Sequence, residues 1–280
     1  MEENTNEYNE KFKMYESDFN RFEKFCRENS LGINFDSLLI YLRQCITQNK
    51  IKLSTYCRRM AGIKYYLQQR YKLSLSIENK NQFDSLRELY NKAEFISLKT
   101  STGVKCENKE EVLQLINGYN TSIKSDIRKR AICLVNLITA NKPSEMVRIK
   151  VSDFDLDNYK VYIPIKNQSV IKEKRLTSLS VQAVKKYIDT CELDGNDYFV
   201  GATDRWGNYS SRQISEISYN QAIQKWLGFA PSAFRKTQII AMYQSGADIP
   251  TIAQQTGHKS HQTIMQHYIT KKAIDIEEFL

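Results

Sequence analysis

Between Tyr8 and Tyr90 the apolar residues keep one spacing, and that spacing leaves the stretch little alternative to α-helix. In "YNEKFKMYESDFNRFEKFCREN", Phe12, Tyr15, Phe19, Phe22 and Phe25 recur at intervals of three and four. Such intervals put the rings on one stripe of a helix, whereas a strand would scatter them over both faces. "FDSLLIYLRQCITQN" repeats the pattern. "KLSTYCRRMAGIKYYLQQRY" offers Ser54 or Thr55 as the N-cap of a third helix, one that carries Arg58, Arg59, Lys64 and Arg70. A shorter fourth helix is predicted in "NQFDSLRELYNKA", and the polar "ISLKTSTGVKCEN" reads as an interdomain linker. Residues 1–100 are therefore expected to form a helical domain.

Residues 101–280 mix element types. "CENKEEVLQLINGY", "IRKRAICLVNLITA", "VQAVKKYIDTC" and "SYNQAIQKWLG" are helical in pattern, and "SAFRKTQIIAMYQSG" ends at Gly246, a helix-stop signal. "YKVYIPIK" and "KRLTSLS" are β-rich runs on either side of a polar loop, which predicts a hairpin. The expected class is mainly α with a small β-hairpin or sheet, in two domains.

Charge narrows the partner. The chain has 280 residues and a formal charge of +9, which suits a polyanion, most simply nucleic acid. Its six cysteines (Cys26, Cys45, Cys57, Cys106, Cys133, Cys191) are scattered, with no CxxC pair, as in a reduced intracellular protein. The N-terminus is acidic and polar, unlike a signal peptide. No apolar run approaches the roughly 18–20 residues that a membrane span needs.

All three histidines lie in "TGHKSHQTIMQHY", at positions 258, 261 and 267, ahead of Tyr268. Three readings compete: a metal site, a packed helical hairpin, or a phosphate-handling site with a tyrosine nucleophile. Zinc usually takes Cys or carboxylate partners at regular spacing, and none lies close in sequence. No metal and no cofactor is expected. Elsewhere "NKPSEMVRIKVSDFD", the hairpin and "SAFRKT" follow one another in order, with His258 lying 23 residues after Arg235 and Tyr268 ten after His258.

In order and spacing these segments resemble the tyrosine recombinase (phage integrase) family, over most of the chain. The resemblance implies a two-domain clamp on duplex DNA: a helical core-binding domain at 1–100 and a catalytic domain at 101–280. It implies cleavage by a tyrosine, giving a 3′-phosphotyrosine link that a 5′-hydroxyl reverses, without metal or ATP. Matched position by position, Tyr268 is the nucleophile, Arg235 the second catalytic arginine, His258 a phosphate-stabilising residue, and Lys166 the hairpin lysine that protonates the leaving oxygen. Lys172 and Lys174 are alternatives to Lys166 if the loop is registered differently. The chain departs from the pattern twice. Lys142 of "KPSE" stands where the family has its first arginine, keeping the charge but losing the bidentate fork. Ser232 of "SAFR" stands where the HxxR motif begins, and could donate one hydrogen bond.

DNA contacts are expected from Arg58, Arg59, Lys64 and Lys236. The family also implies a tail that docks on a neighbouring protomer, which for "ITKKAIDIEEFL" predicts exchange between protomers and a tetramer on paired sites. The expected setting is intracellular and with DNA, in a bacterial cytoplasm or a virus-infected cell. The expected role is integration, excision or resolution of a mobile element or viral genome. A catalytically degenerate DNA-binding protein on the same fold, architectural or regulatory, is the alternative.

Overall fold

The computed structural model describes residues 2–99, 108–164, 171–204 and 207–268. The chain divides into two compact units, 1–103 and 104–280. Four sequence expectations lie outside the described residues: Lys166, Cys106, the linker beyond position 99, and the tail from position 269.

The first unit is helical: α1 (Glu2–Glu28), α2 (Phe35–Thr47), α3 (Leu53–Gln69) and α4 (Ile77–Glu88). The aromatic stripe of α1 is its inner face. Phe19 and Phe22 are buried, and Phe19 stacks on Tyr66 of α3 at 4.4 Å with nearly parallel rings. Helices α1 and α3 approach closely at Gly62, where even a Cβ would lie 2.5 Å from the Tyr15 ring. Two buried tyrosines of this unit send their hydroxyls to backbone carbonyls, Tyr56 to Phe83 at 3.0 Å and Tyr90 to Ile51 at 2.9 Å, which satisfies both phenols. Helix α3 does not begin at the expected serine or threonine. Its N-cap is Lys52, in extended conformation and with no side-chain cap, and Ser54 already lies inside the first turn. Helix α4 starts before its expected segment, at a Ser76 N-cap that accepts from the Asn79 N–H.

In the second unit α6 (Lys124–Thr139) is the central helix, buried from Ala131 to its end. Around it pack α5 (Lys109–Asn117), α8 (Ser178–Cys191) and α10 (Ser232–Gln244). The short α7 (Pro143–Met146) follows, then a three-stranded antiparallel sheet of β1 (Phe154–Asp155), β2 (Lys160–Pro164) and β3 (Ile171–Arg175) in that order. The register pairs Val161 with Lys174 and Ile163 with Lys172.

The hairpin therefore differs from its sequence expectation. Its second strand ends at Arg175, and Thr177 is the N-cap of α8, so "TSLS" begins a helix. The threonine hydroxyl satisfies a free helix N–H, which outweighs its β-propensity. A short ribbon, β4 (Ala202–Thr203) with β5 (Tyr209–Ser210), precedes α9 (Glu216–Leu227). The chain then runs through α10 and α11 (Ile249–Thr256) to α12 (His261–His267). Helix α10 ends at Gln244, with Ser245 as its C-cap and Gly246 just beyond it at φ 85°. Among the described residues no helix is long and apolar enough to cross a membrane.

Candidate active site

Four backbone segments of the second unit converge on one polar cluster. The first is the end of α6. Its C-cap, Ala140, sits in the left-handed region at φ 50°, an uncommon conformation for a residue with a Cβ, and it turns the chain toward Asn141 and Lys142. Lys142 precedes α7 and is exposed. Its backbone N–H donates to Glu145 Oε2 at 2.9 Å.

Strand β3 supplies two lysines. Lys172 and Lys174 are two residues apart, so they share a sheet face, while Glu173 on the other face pairs with Lys160 at 3.0 Å. Lys172 is partly exposed and donates to Glu145 Oε1 at 3.2 Å and to the Gly257 carbonyl at 3.1 Å. Lys174 is only 1% exposed. Its amine donates to the Thr139 carbonyl at 2.8 Å, to Asn141 Oδ1, and to the Thr256 carbonyl at 3.4 Å.

Arg235, in the first turns of α10, is also buried. Nη1 donates to the carbonyls of Ala140 (2.6 Å) and Thr256 (2.7 Å). Nη2 lies 3.2 Å from Nδ1 and 3.1 Å from Nε2 of His258. The Tyr268 phenol lies close enough to the guanidinium to favour its charged form. Helix α11 ends at Gly257, whose φ of 71° permits the turn that presents His258. A Cβ there would lie 2.8 Å from Lys172 Nζ, so only glycine lets the lysine approach the turn. Thr256 Oγ1 meets His258 Nδ1 at 2.7 Å. Tyr268 caps α12 and packs partly against a small cluster of Ile239, Ile252, Ala253 and Ile264. Its ring is edge-on to His258 at 5.4 Å.

Electrostatics follow from this crowding. Burial, then the charges of Arg235, Lys142, Lys174 and Lys172, push the His258 imidazole down to about 4, so it is neutral at pH 7. Burial pulls the Lys174 ammonium down to about 7, against the opposing pull of Glu145. For Glu145, burial alone would raise the carboxyl. Lys174, the Lys142 N–H and Lys172 outweigh it and hold the group ionised, below the usual carboxylate range. Arg235 is lowered by burial but starts so high that it stays charged. The result is a half-open cluster with an excess of positive charge, several N–H donors and one phenol. Such a site can hold a phosphate and stabilise negative charge developing on it.

The structure thus brings Lys142, Arg235, His258 and Tyr268 of the sequence reading into one neighbourhood. Ser232 opens α10 in an exposed position, one helical turn before Arg235. Glu145 and Thr256 were not singled out from sequence, although both bind several members of the cluster. Glu145 lies in the "KPSE" segment, but nothing local shows that a carboxylate will be buried against two lysines. His261 starts α12, exposed. Among the described residues no group of three or more His, Cys, Asp or Glu is placed to hold a metal ion.

The expected DNA-contacting residues of α3 part ways. Arg58 is half-exposed and pairs with the buried Asp18. Arg59 is 9% exposed and points inward, to Cys45 Sγ at 3.2 Å, the Tyr41 hydroxyl at 3.4 Å and Asp18 at 3.6 Å. Its guanidinium is part of the unit's interior and is not presented to a phosphate. Lys64 lies over the Phe83 ring at 4.8 Å, and Lys236 is partly exposed on α10.

The phage integrase family model matches residues 107–273, and the chain belongs to that family. Among its relatives, a probable integrase/recombinase protein of Methanocaldococcus jannaschii is 22% identical over 99% of this chain and 91% of its own length. A tyrosine recombinase XerC of Lactobacillus delbrueckii is 24% identical over 89% of this chain and 84% of its own. Two solved structures share the fold. XerA recombinase has a TM-score of 0.52 at 17% identity, covering 96% of this chain and 90% of that one. The Tn1549 transposon integrase, in complex with a circular intermediate DNA, has a TM-score of 0.59 at 14% identity, covering 86% and 83%.

Proposed function

We propose that this chain is a site-specific DNA recombinase that cuts and rejoins duplex DNA through a 3′-phosphotyrosine intermediate. The observation that supports it most is the placement of Tyr268: its ring stands edge-on to a neutral His258 at 5.4 Å, with its phenol near Arg235, in a cluster that also holds Lys142 and Lys172. In the proposed step the Tyr268 oxygen attacks phosphorus and its proton passes to the neighbouring neutral imidazole of His258, a weak base whose part is supported by the cations around the developing phenolate. The P–O bond to the 5′-oxygen breaks, and a hairpin lysine protonates the departing oxygen. We assign that role to Lys166, with Lys172 as the described lysine able to replace it; Lys174 is walled off from any substrate. Arg235 and Lys142 carry the charge growing on the non-bridging oxygens, and Ser232 is an auxiliary donor. One phosphodiester replaces another, so the step conserves its bond energy and needs no ATP; a 5′-hydroxyl reverses it.

The partner in this reading is duplex DNA, held in part through Arg58, Lys64 and Lys236. The working assembly is a tetramer on paired sites with tails exchanged between protomers, inside the cell that carries the DNA. The role is integration, excision or resolution of a mobile element or viral genome. The test is incubation with a nicked duplex carrying the element's own terminal sequence. A protein–DNA adduct that survives denaturation and vanishes in Tyr268→Phe is the expected result. Tight DNA binding with no adduct would instead assign the chain to a degenerate, architectural role, for which the loss of the Lys142 fork is the specific motive.

A further inference from the structure

Lys174 is a buried ionisable group of the site that the proposed chemistry does not use. Its surroundings account for every proton an ammonium carries: three N–H bonds face three acceptors, the Thr139 carbonyl, Asn141 Oδ1 and the Thr256 carbonyl. Glu145 Oε2, 3.9 Å away, supplies the counter-charge. The acceptors belong to two segments that are distant in sequence. Thr139 and Asn141 lead directly into Lys142, and Thr256 lies two residues before His258. Arg235 makes a second bridge between the same two segments, through the carbonyls of Ala140 and Thr256. Lys174 and Arg235 are therefore parallel rungs, and only Arg235 also reaches Tyr268.

We infer that Lys174 is a positioning residue that fixes Lys142 relative to His258 by tying the end of α6 to the end of α11. The inference rests on the recombinase reading for its consequence, since the two residues it spaces are those assigned to the phosphate. It gives separate jobs to the two alternating lysines of β3. Lys172 faces the substrate side, whereas Lys174 holds the frame behind it. The tie matters more here than it would with an arginine at position 142. A flexible lysine lacks the planar fork that would let the phosphate itself orient the side chain, so its backbone has to be held from below.

Lys174→Met alone would leave Asn141 Oδ1 buried without a donor and could fail to fold. The decisive protein is therefore Lys174→Met combined with Asn141→Leu, which removes both ends of that bond in the full chain. Three measurements are made: hydrogen exchange by mass spectrometry without DNA, affinity for a DNA site, and single-turnover cleavage of a nicked duplex.

The double variant is expected to melt cooperatively and to bind DNA within about threefold of wild type. Exchange should accelerate by about tenfold in peptides covering 139–145 and 253–260, the effect of losing one buried bridge, with α8 unchanged. Cleavage should slow by at least about tenfold at saturating DNA, because geometry and not binding is lost. A variant that cleaves at the wild-type rate, or that shows unchanged exchange in both segments, overturns the inference. If wild-type protein forms no adduct, the recombinase reading falls, and the exchange measurement by itself still decides whether Lys174 ties the segments. A purely structural role would lower the melting temperature and accelerate exchange generally, leaving cleavage by the folded protein intact.

Discussion

The Arg235 guanidinium lies against both ring nitrogens of His258, 3.2 Å from Nδ1 and 3.1 Å from Nε2. An imidazolium in that place would face a fixed cation at contact distance, so the histidine is kept neutral. Its pKa falls from the ordinary 6.5 to about 4, by burial first and by Arg235 second. The consequence for stability has a definite sign. Between pH 6.5 and 4 the unfolded chain takes up a proton at His258 and the folded chain does not, so stability present above 6.5 is lost as pH falls toward 4. Urea titrations of wild type and His258→Gln across this range should diverge, the variant showing the shallower loss. Parallel curves would mean that the imidazole titrates normally.

Tyr268 is the only phenol that the site presents to Arg235 among the described residues. Tyr268→Phe removes one oxygen and little packing, so DNA affinity should stay within a few-fold while covalent adduct and strand exchange disappear. The readout is denaturing gel electrophoresis with labelled DNA. Recombination by the Phe variant would overturn the nucleophile assignment.

Lys142 is exposed at the mouth of the cluster, its backbone fixed by Glu145. Lys142→Ala should slow cleavage by about 10²-fold or more, the cost of removing one donor from a developing oxyanion. Lys142→Arg should hold or raise the rate, because the fork can engage two oxygens. Single-turnover rates on one nicked substrate check both. An unchanged rate in the alanine variant would show that another group carries the charge.

Gly257 combines a left-handed backbone, φ 71°, with a lysine amine 2.8 Å from where a Cβ would stand. Gly257→Ala should cost about 1–2 kcal/mol in backbone strain. It should also displace Lys172 from its contacts with Glu145 and the Gly257 carbonyl. Melting temperature and cleavage rate should fall together. A stable variant of normal activity would mean that the turn relaxes freely.

The two arginines of α3 should separate experimentally. Arg58→Ala acts at the surface and should flatten the log–log salt dependence of DNA affinity by about one phosphate contact, a slope change near 0.9, with modest loss of stability. Arg59→Met strips one partner from the buried Asp18 and should destabilise the fold by about 3–5 kcal/mol. Chemical denaturation and salt-dependent anisotropy distinguish the outcomes. A salt slope that responds to Arg59 and not to Arg58 would reverse the assignment.

Local order determined a good deal of this protein. The three-and-four spacing of Phe12, Tyr15, Phe19, Phe22 and Phe25 needs only the pitch of a helix to become a buried stripe. Arg235, His258 and Tyr268 were legible as candidates because "SAFRKT" and "TGHKSHQTIMQHY" resemble, in order and spacing, segments of the tyrosine recombinase family. Tertiary structure alone decided the rest. Arg58 and Arg59 are neighbours about 100° apart around a helix, and which one turns inward depends on where α1 places Asp18. Lys172 and Lys174 share one face of β3, yet only Lys174 is sealed, because the ends of α6 and α11 close over that point of the strand. Thr177 left the strand for a helix cap because a free N–H of α8 stood within reach of its hydroxyl. For the arginines and the lysines the residue type allows two environments, and the choice falls to a partner distant in sequence that no local pattern records; for Thr177 the partner is Ser180, only three residues on.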